Sequence, residues 1–498
     1  MLTLNYIVFP FYTFLTLISI MGYGYIFKHL FKNKLQIMNL KNPIFIQGLF
    51  FIGCISAVIN FFIPLTNPIS LTILLIGFLI NLIFFEKFIL KKKKIIFVFF
   101  VIILSSFLSI NAGINDDFNY HLDTILNYKS KTLFEIEHSR RVSYNSFWLF
   151  LHSIISVDYF TSTYFVLGSV IYSIALYDSL KLFRKSIKKE NYYVGICSFF
   201  VIVFLIGVLN KYKEFGTDIP GFILSIYILY VLFNNSFDDK NYYSNEILQA
   251  ILILACMAFV IKITNTLIFL YLIVILTRIK YSKLNLIYLS IPFCIVIIWF
   301  FQNYNISGCL VWPQEISCFK NSHLAVEEAY LIESFAKGDI NTQINANGFD
   351  WISVWLKNHS TKMIEIYLLY FILLLSPIMY FYFFSKEKIY KFNFFSNKDY
   401  LLFLSLVFVA NSFWFLIAPA YRFGLFYNLS FIILLLLPFW IILIKKFKKK
   451  IKIYSTSLII VVSIYFIIEN ILKYSWYEKR YDIWPPIKNG KIIERKDY

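Results

Sequence analysis

The chain is 498 residues long, 59% hydrophobic and only 15% charged, with a mean hydropathy of +0.69. Soluble chains carry about 25% charge, so a soluble globular protein is excluded. The formal net charge of +19 comes largely from short basic runs between apolar segments, at 91–94, 181–189 and 445–452. That is the pattern of loops held on the cytoplasmic side of a bilayer, not of a basic face for nucleic acid.

Taken in order, apolar segments run over 6–27, 43–64, 69–90, 95–111, 159–180, 193–210, 219–233, 246–261, 264–278, 284–301, 361–384, 400–417, 424–444 and 453–471. The predicted fold is therefore all-α, a polytopic helical protein of about 12–14 spans with short interfacial helices in its outer loops. The first segment has no basic start and no small-residue cleavage site, and reads as a retained span. Residues 1–94 form the N-terminal transmembrane helices. Residues 95–445 form a core with long outer loops at 111–145 and 302–360, and 446–498 the last helix and a basic tail. With 28–41 placed inside, alternation puts every dense lysine run on one side. The tail, with Lys479, Arg480 and Lys491, then falls on the other side, against the charge rule, and Trp476 and Trp484 are candidate interface anchors for it.

The same alternation collects five polar stretches on the outer face, and the first is the richest. After the fourth span comes NAGINDDFNYHLDTILNYKS. Asn115 or Asp116 is a candidate N-cap, followed by a helix with an apolar stripe of Phe118, Leu122, Ile125 and Leu126. The other side shows Asp117, Tyr120, His121 and Thr124, and the helix is expected to lie flat on the membrane surface. Asp116 and Asp117 at its start can act as a general base toward a hydroxyl, with His121 on the same face as Asp117, or Asp117 can hold a divalent cation. The bland alternative is a capped acidic turn favoured by the helix dipole. Arg140 and Arg141 follow, suited either to phosphate or to lipid headgroups, and then Asn145-Ser146.

Further along, Asp218 precedes Pro220 at the start of a span, as a helix cap or as a second acid facing the first loop. Lys262 stands alone among apolar residues, where an ion faces a cavity or a partner. It is a candidate for a lipid-linked phosphate, or a lysine snorkelling from a span end. Arg422, in the turn PAYRFG, is a candidate phosphate clamp or an interface anchor with Tyr421. The loop 302–360 holds a predicted helix at 326–337 and an amphipathic piece from Asp350 with Trp351 and Trp355 one turn apart. Cys309 and Cys318 share that loop and are candidates for a disulfide. Cys54, Cys197, Cys256 and Cys294 fall in apolar segments as packing residues. No Gly-rich phosphate loop, HExxH motif or nucleophile elbow is present.

A multispan chain with an acidic pair in an outer loop, followed by a helix, resembles the GT-C superfamily of glycosyltransferases. The set DDFNYHL, Arg140 or Arg141 with Asn145-Ser146, Asp218-Ile219-Pro220, Lys262, SGCLVWP (307–313) and Arg422-Phe423-Gly424 is similar to that of a group of poorly characterised bacterial multispan proteins. The resemblance implies transfer of a sugar from a polyprenyl-phosphate donor to a glycan or lipid acceptor, on the outer face of a bacterial inner membrane. It implies Asp116 or Asp117 as base or metal ligand, and Lys262 and Arg422 on the donor phosphate. The chain departs from the usual GT-C plan, in which the acidic loop follows the first span. Competing readings are a polysaccharide polymerase, a lipid-linked sugar flippase or transporter, and a membrane protein without catalysis.

Overall fold

A computed structural model describes residues 2–31, 43–84, 92–110, 116–136, 142–208, 214–235, 245–277, 286–319, 332, 336–338, 349–384, 398–481, 484–485, 487–488 and 491–492. The architecture is all-α. Four helices open the chain, α1 (Leu2–Leu30), α2 (Pro43–Asn60), α3 (Asn67–Phe84) and α4 (Lys92–Ile110). Then come α5 (Asp116–Ser130), the short α6 (Phe147–Ile155), α7 (Val166–Lys189), α8 (Tyr192–Val208), α9 (Asp218–Asn235) and α10 (Asn245–Ile261). A 3-10 stretch, Ile263–Tyr271, leads into α11 (Leu272–Leu276), followed by α12 (Leu286–Ser307) and α13 (Trp351–Met363). A π-helical turn, Ile364–Leu368, joins α13 to α14 (Leu369–Phe384), and α15 (Lys398–Ile417) and α16 (Leu425–Arg480) complete the helices. The last bends at Phe447, whose backbone is not helical. Two-residue strands, Ile487–Lys488 and Lys491–Ile492, pair in the tail.

Each apolar segment of the sequence coincides with a helical stretch, because a helix pairs its own backbone groups wherever water is absent. Among the described residues, by length and composition, five stretches can cross a membrane: Leu4–Leu30, Thr161–Lys189, Ser290–Ser307, Lys398–Ile417 and Tyr421–Leu472, or six counting the bent pair 351–368 and 370–380. Seven further apolar helices are shorter. α1, α2 and α3 pack closely through glycine. A Cβ on Gly22 would sit 1.9 Å from the Gly77 carbonyl oxygen, so only glycine lets these two backbones meet.

The helices sort their ends into two groups. At one end the Lys189 terminus of α7 lies where Glu190 pairs with Lys448 of α16, and Asn191 donates to Asn234 at the end of α9. At the other end Asn60 and the Leu65 amide bond the Tyr128 carbonyl of α5, and Ser146 reaches the last residue of α10. The tail joins this second end. The Trp484 indole donates to the Ser109 carbonyl at 3.2 Å and stacks on Tyr6. Trp484 therefore anchors the tail at this end, whatever its lysines prefer. The side chain of Trp476 lies outside the described residues.

One expectation is corrected. α5 buries more than a single apolar stripe. Leu122 and Ile125 are buried as the stripe requires, but His121, Thr124, Tyr128 and Lys129 are buried too, while Asp123 and Ser130 are exposed. The cause is polar anchoring. Tyr128 donates to Asn145, Lys129 donates to the Ser156 carbonyl at 2.7 Å, and both pull the helix into the bundle.

Candidate functional site

The site is assembled at the end where α5 begins. Helix α5 starts at Asp116, which puts Asp116 and Asp117 in its first turn, where the helix dipole favours acids. Their carboxylates lie outside the described side chains, as do Arg140 and Arg141 altogether. The helix predicted at 326–337 also falls largely outside the described residues. His121 is 8% exposed and its ring sits 4.1 Å from that of Tyr120.

Asn145 takes a left-handed backbone, φ 39°, which Asn adopts more readily than most residues. It is buried, accepting from the Tyr128 hydroxyl at 2.6 Å on its side chain and from the Trp299 indole at 2.8 Å on its carbonyl. Asn145 thus ties α5 to α12. Ser146 caps α6, accepting from the Trp148 amide, and donates to the Ile261 carbonyl at 2.7 Å. That carbonyl immediately precedes Lys262.

At Lys262 the helix breaks. Its backbone is extended, φ −157° and ψ 124°, and the chain resumes as 3-10 helix. The break turns Lys262 toward two other elements. Its ammonium pairs with Asp218 in the first turn of α9 and lies 3.9 Å from the Phe423 ring centroid. Arg422 Nε stands 4.0 Å from the other Asp218 oxygen, with its guanidinium 5.3 Å from the same ring. Lys262 and Asp218 are mostly covered, at 18% and 20% exposure, while Arg422 is 45% exposed. Three residues from widely separated segments form one cluster with two cations and one anion.

The surroundings hold this cluster in place. The Tyr427 hydroxyl donates to the Thr264 carbonyl at 2.8 Å, and Tyr367 of the π-helical turn donates to the Tyr421 carbonyl at 3.1 Å. From α13, the buried Trp355 donates to the Pro419 carbonyl at 2.8 Å. Cys309 and Cys318 are joined by a disulfide, and the main chains beside them pair from Leu310 to Ser317 and from Phe319 to Gly308.

Several charged or ionisable groups here have no plain signal in the sequence. Glu214 is 1% exposed and accepts from the Gly168 amide at 2.6 Å, so it caps the start of α7. In the sequence it reads as a solvated charge just after Lys211 and Lys213; its one clue is the following Phe215. His152 is buried edge-on against Trp148 and Phe215. Burial lowers its pKa to about 3, and the His121 charge acts in the same direction. Lys129 lies 3.4 Å from Asp158, and its burial lowers its pKa despite that partner. Away from this end, Asp178 is fully buried within α7 and accepts from the Tyr227 hydroxyl at 3.0 Å.

Chemically, the cluster sets two cations around one carboxylate, with the arginine half-exposed. Among the described residues no group of three or more His, Cys, Asp or Glu is placed to hold a metal, and the Asp116 and Asp117 carboxylates stand outside that set.

A family model described as "Domain of unknown function (DUF8201)" matches residues 6–429, a range that includes every residue of the cluster and of α5. No curated protein and no solved structure matches the chain.

Proposed function

The chain belongs to the DUF8201 family, a domain of unknown function, and we propose that it is an integral membrane glycosyltransferase. It transfers a sugar from a polyprenyl-phosphate donor to a cell-envelope glycan or lipid. In this reading about fourteen spans cross a bacterial inner membrane, and the end carrying α5 and the Lys262 cluster faces outward, opposite the lysine-rich end.

The observation that carries the proposal is the meeting of Asp218, Lys262 and Arg422 at the bundle end where α5 presents its acidic start. Asp116 or Asp117 would take the proton of the acceptor hydroxyl, with or without a divalent cation. Lys262 and Arg422 would stabilise the charge that develops on the leaving phosphate. The two cations of the cluster are the groups that would meet the donor phosphate. Arg422, the most exposed of the three and 4.0 Å from its carboxylate, is the member best able to turn toward it. A buried lipid tail would position the donor.

A second reading, a lipid-linked sugar flippase or transporter, draws on Asp178. An acid buried inside a long apolar helix is the kind of group a transport pathway uses. The deciding experiment expresses Asp116→Asn, Asp117→Asn and the double variant in cells lacking the native gene, at matched protein levels, and profiles surface glycans. Loss of a glycan species in one single variant, with normal insertion, supports transfer and names the base. A wild-type profile from the double variant would sink the transferase reading.

A further inference from the structure

At the opposite end of α7, about 36 Å from its Glu214-capped start at 1.5 Å per residue over 24 residues, lies a shallow open groove. Its walls come from the last turns of α7, the first turns of α8 and the bend in α16. Phe183, Ile187, Phe199 and Trp440 make it apolar, and Lys448 and Lys452 stand at its mouth. Gly195 forms part of the lining, where a Cβ would meet only the Ser186 Cβ, at 3.4 Å. The groove therefore joins a slot for a hydrocarbon chain to a pair of ammonium groups.

We infer that this groove binds one anionic phospholipid of the inner leaflet, its acyl chain along Phe183 and Ile187 and its phosphate on Lys448 and Lys452. The inference does not rest on glycosyl transfer. Charge complementarity selects the occupant: a zwitterionic lipid would bring its own cation against the two lysines, and a free anion would meet the lysines and leave the apolar wall uncovered.

Lys448 already has a partner in Glu190. That pair is exposed on both sides, at 51% and 59%, and such pairs stabilise little. Their shared hydrogen bond holds the Glu190 carboxyl low and the Lys448 ammonium high in pKa, so both are charged at neutral pH. A lipid phosphate thus competes with Glu190 for Lys448, and Glu190 sets how tightly the lipid is held.

The test is native mass spectrometry of the full chain in detergent, titrated in parallel with dioleoyl phosphatidylglycerol and dioleoyl phosphatidylcholine. Wild type should retain the first phosphatidylglycerol preferentially. Lys448→Gln and Lys452→Gln should each reduce that preference, by about fivefold per lysine. Glu190→Gln should increase it, an effect that a purely structural pair would not produce. Gly195→Leu should reduce binding of both lipids by filling the slot, and it tests the site even if the lysine variants fold poorly. Equal retention of the two lipids would overturn the proposal. So would an equal loss from Lys449→Gln and Lys450→Gln, which lie outside the groove, because that result describes a diffuse basic surface.

Discussion

Replacing Asp218 and Lys262, singly and together, separates a structural ion pair from a phosphate site. Two unit charges at 4.0 Å, the Arg422–Asp218 distance, interact by about 4 kcal/mol at an effective dielectric near 20. That is an upper figure here, since Lys262 and Asp218 keep about a fifth of their surface in solvent and Arg422 nearly half. Between the ~0–1 kcal/mol of an exposed pair and the ~3–5 kcal/mol of breaking a buried one, we expect Asp218→Asn and Lys262→Met to cost roughly 1–3 kcal/mol each. The double variant should recover part of that loss, because no ion is then left facing an empty partner. Ligand binding should follow the net charge instead. Lys262→Met should weaken binding of a short polyprenyl phosphate by about tenfold or more, the effect of one charge-assisted hydrogen bond of ~1.5–3 kcal/mol. Asp218→Asn should leave that binding equal or tighter. Thermal unfolding in detergent reads the first set and isothermal calorimetry the second. If Lys262→Met destabilises the protein yet binds the phosphate as wild type does, the cluster is a clamp between α9 and α10, and its phosphate role is refuted.

Two other perturbations test the groups beneath the cluster. The folded-state pKa of His152, about 3, lies below the ordinary 6.5, so its contribution is fully present above about pH 6.5 and is lost as pH falls toward 3. At about pH 5 the loss is roughly 2 kcal/mol, and His152→Gln should flatten that acid limb in melting curves; an unchanged limb assigns it to other groups. Glu214→Gln removes the charge from the bond to the Gly168 amide and from the N-terminus of α7, and should cost about 1–2 kcal/mol. An unchanged melting temperature would show that this cap contributes nothing.

The helices were legible because a span is a local property. About 20 apolar residues bounded by lysines declare themselves without reference to any neighbour. Alternation of the lysine runs collected the polar stretches, and the described residues bring Asp218, Lys262 and Arg422 from three of them together. What stayed hidden is pairwise. Asp218 and Lys262 are 44 positions apart, and nothing in either segment names the other. Asn145 also joins α5 to α12 through its side-chain oxygen and its carbonyl, a structural part that its sequence neighbours do not announce. Glu214 reads as a solvated charge because the apolar cover over it comes from distant helices. Asp178 was overlooked because one acid among apolar residues barely changes the hydropathy of a span.

The break at Lys262 is the strongest sign that this end of the bundle is built for a task. A continuous helix would have paired its own carbonyls; interrupting it frees several, and buried carbonyls need partners. Here Ser146 takes that of Ile261, the Asn265 backbone amide takes that of Lys262 at 2.9 Å, and Tyr427 takes that of Thr264. Ser146 and Tyr427 come from the α6 cap and α16, and Asn265 from the 3-10 stretch, where it also fills the space that a Cβ on Gly221 would need. None of these contacts involves the Lys262 side chain. The backbone is therefore held in its broken form whatever stands at position 262, and the result is an ammonium fixed in place before any ligand arrives. Fixed charge of that kind stabilises developing charge without reorganising first. The same reasoning makes Lys262→Met a fair test, because the break should persist and only the charge should go.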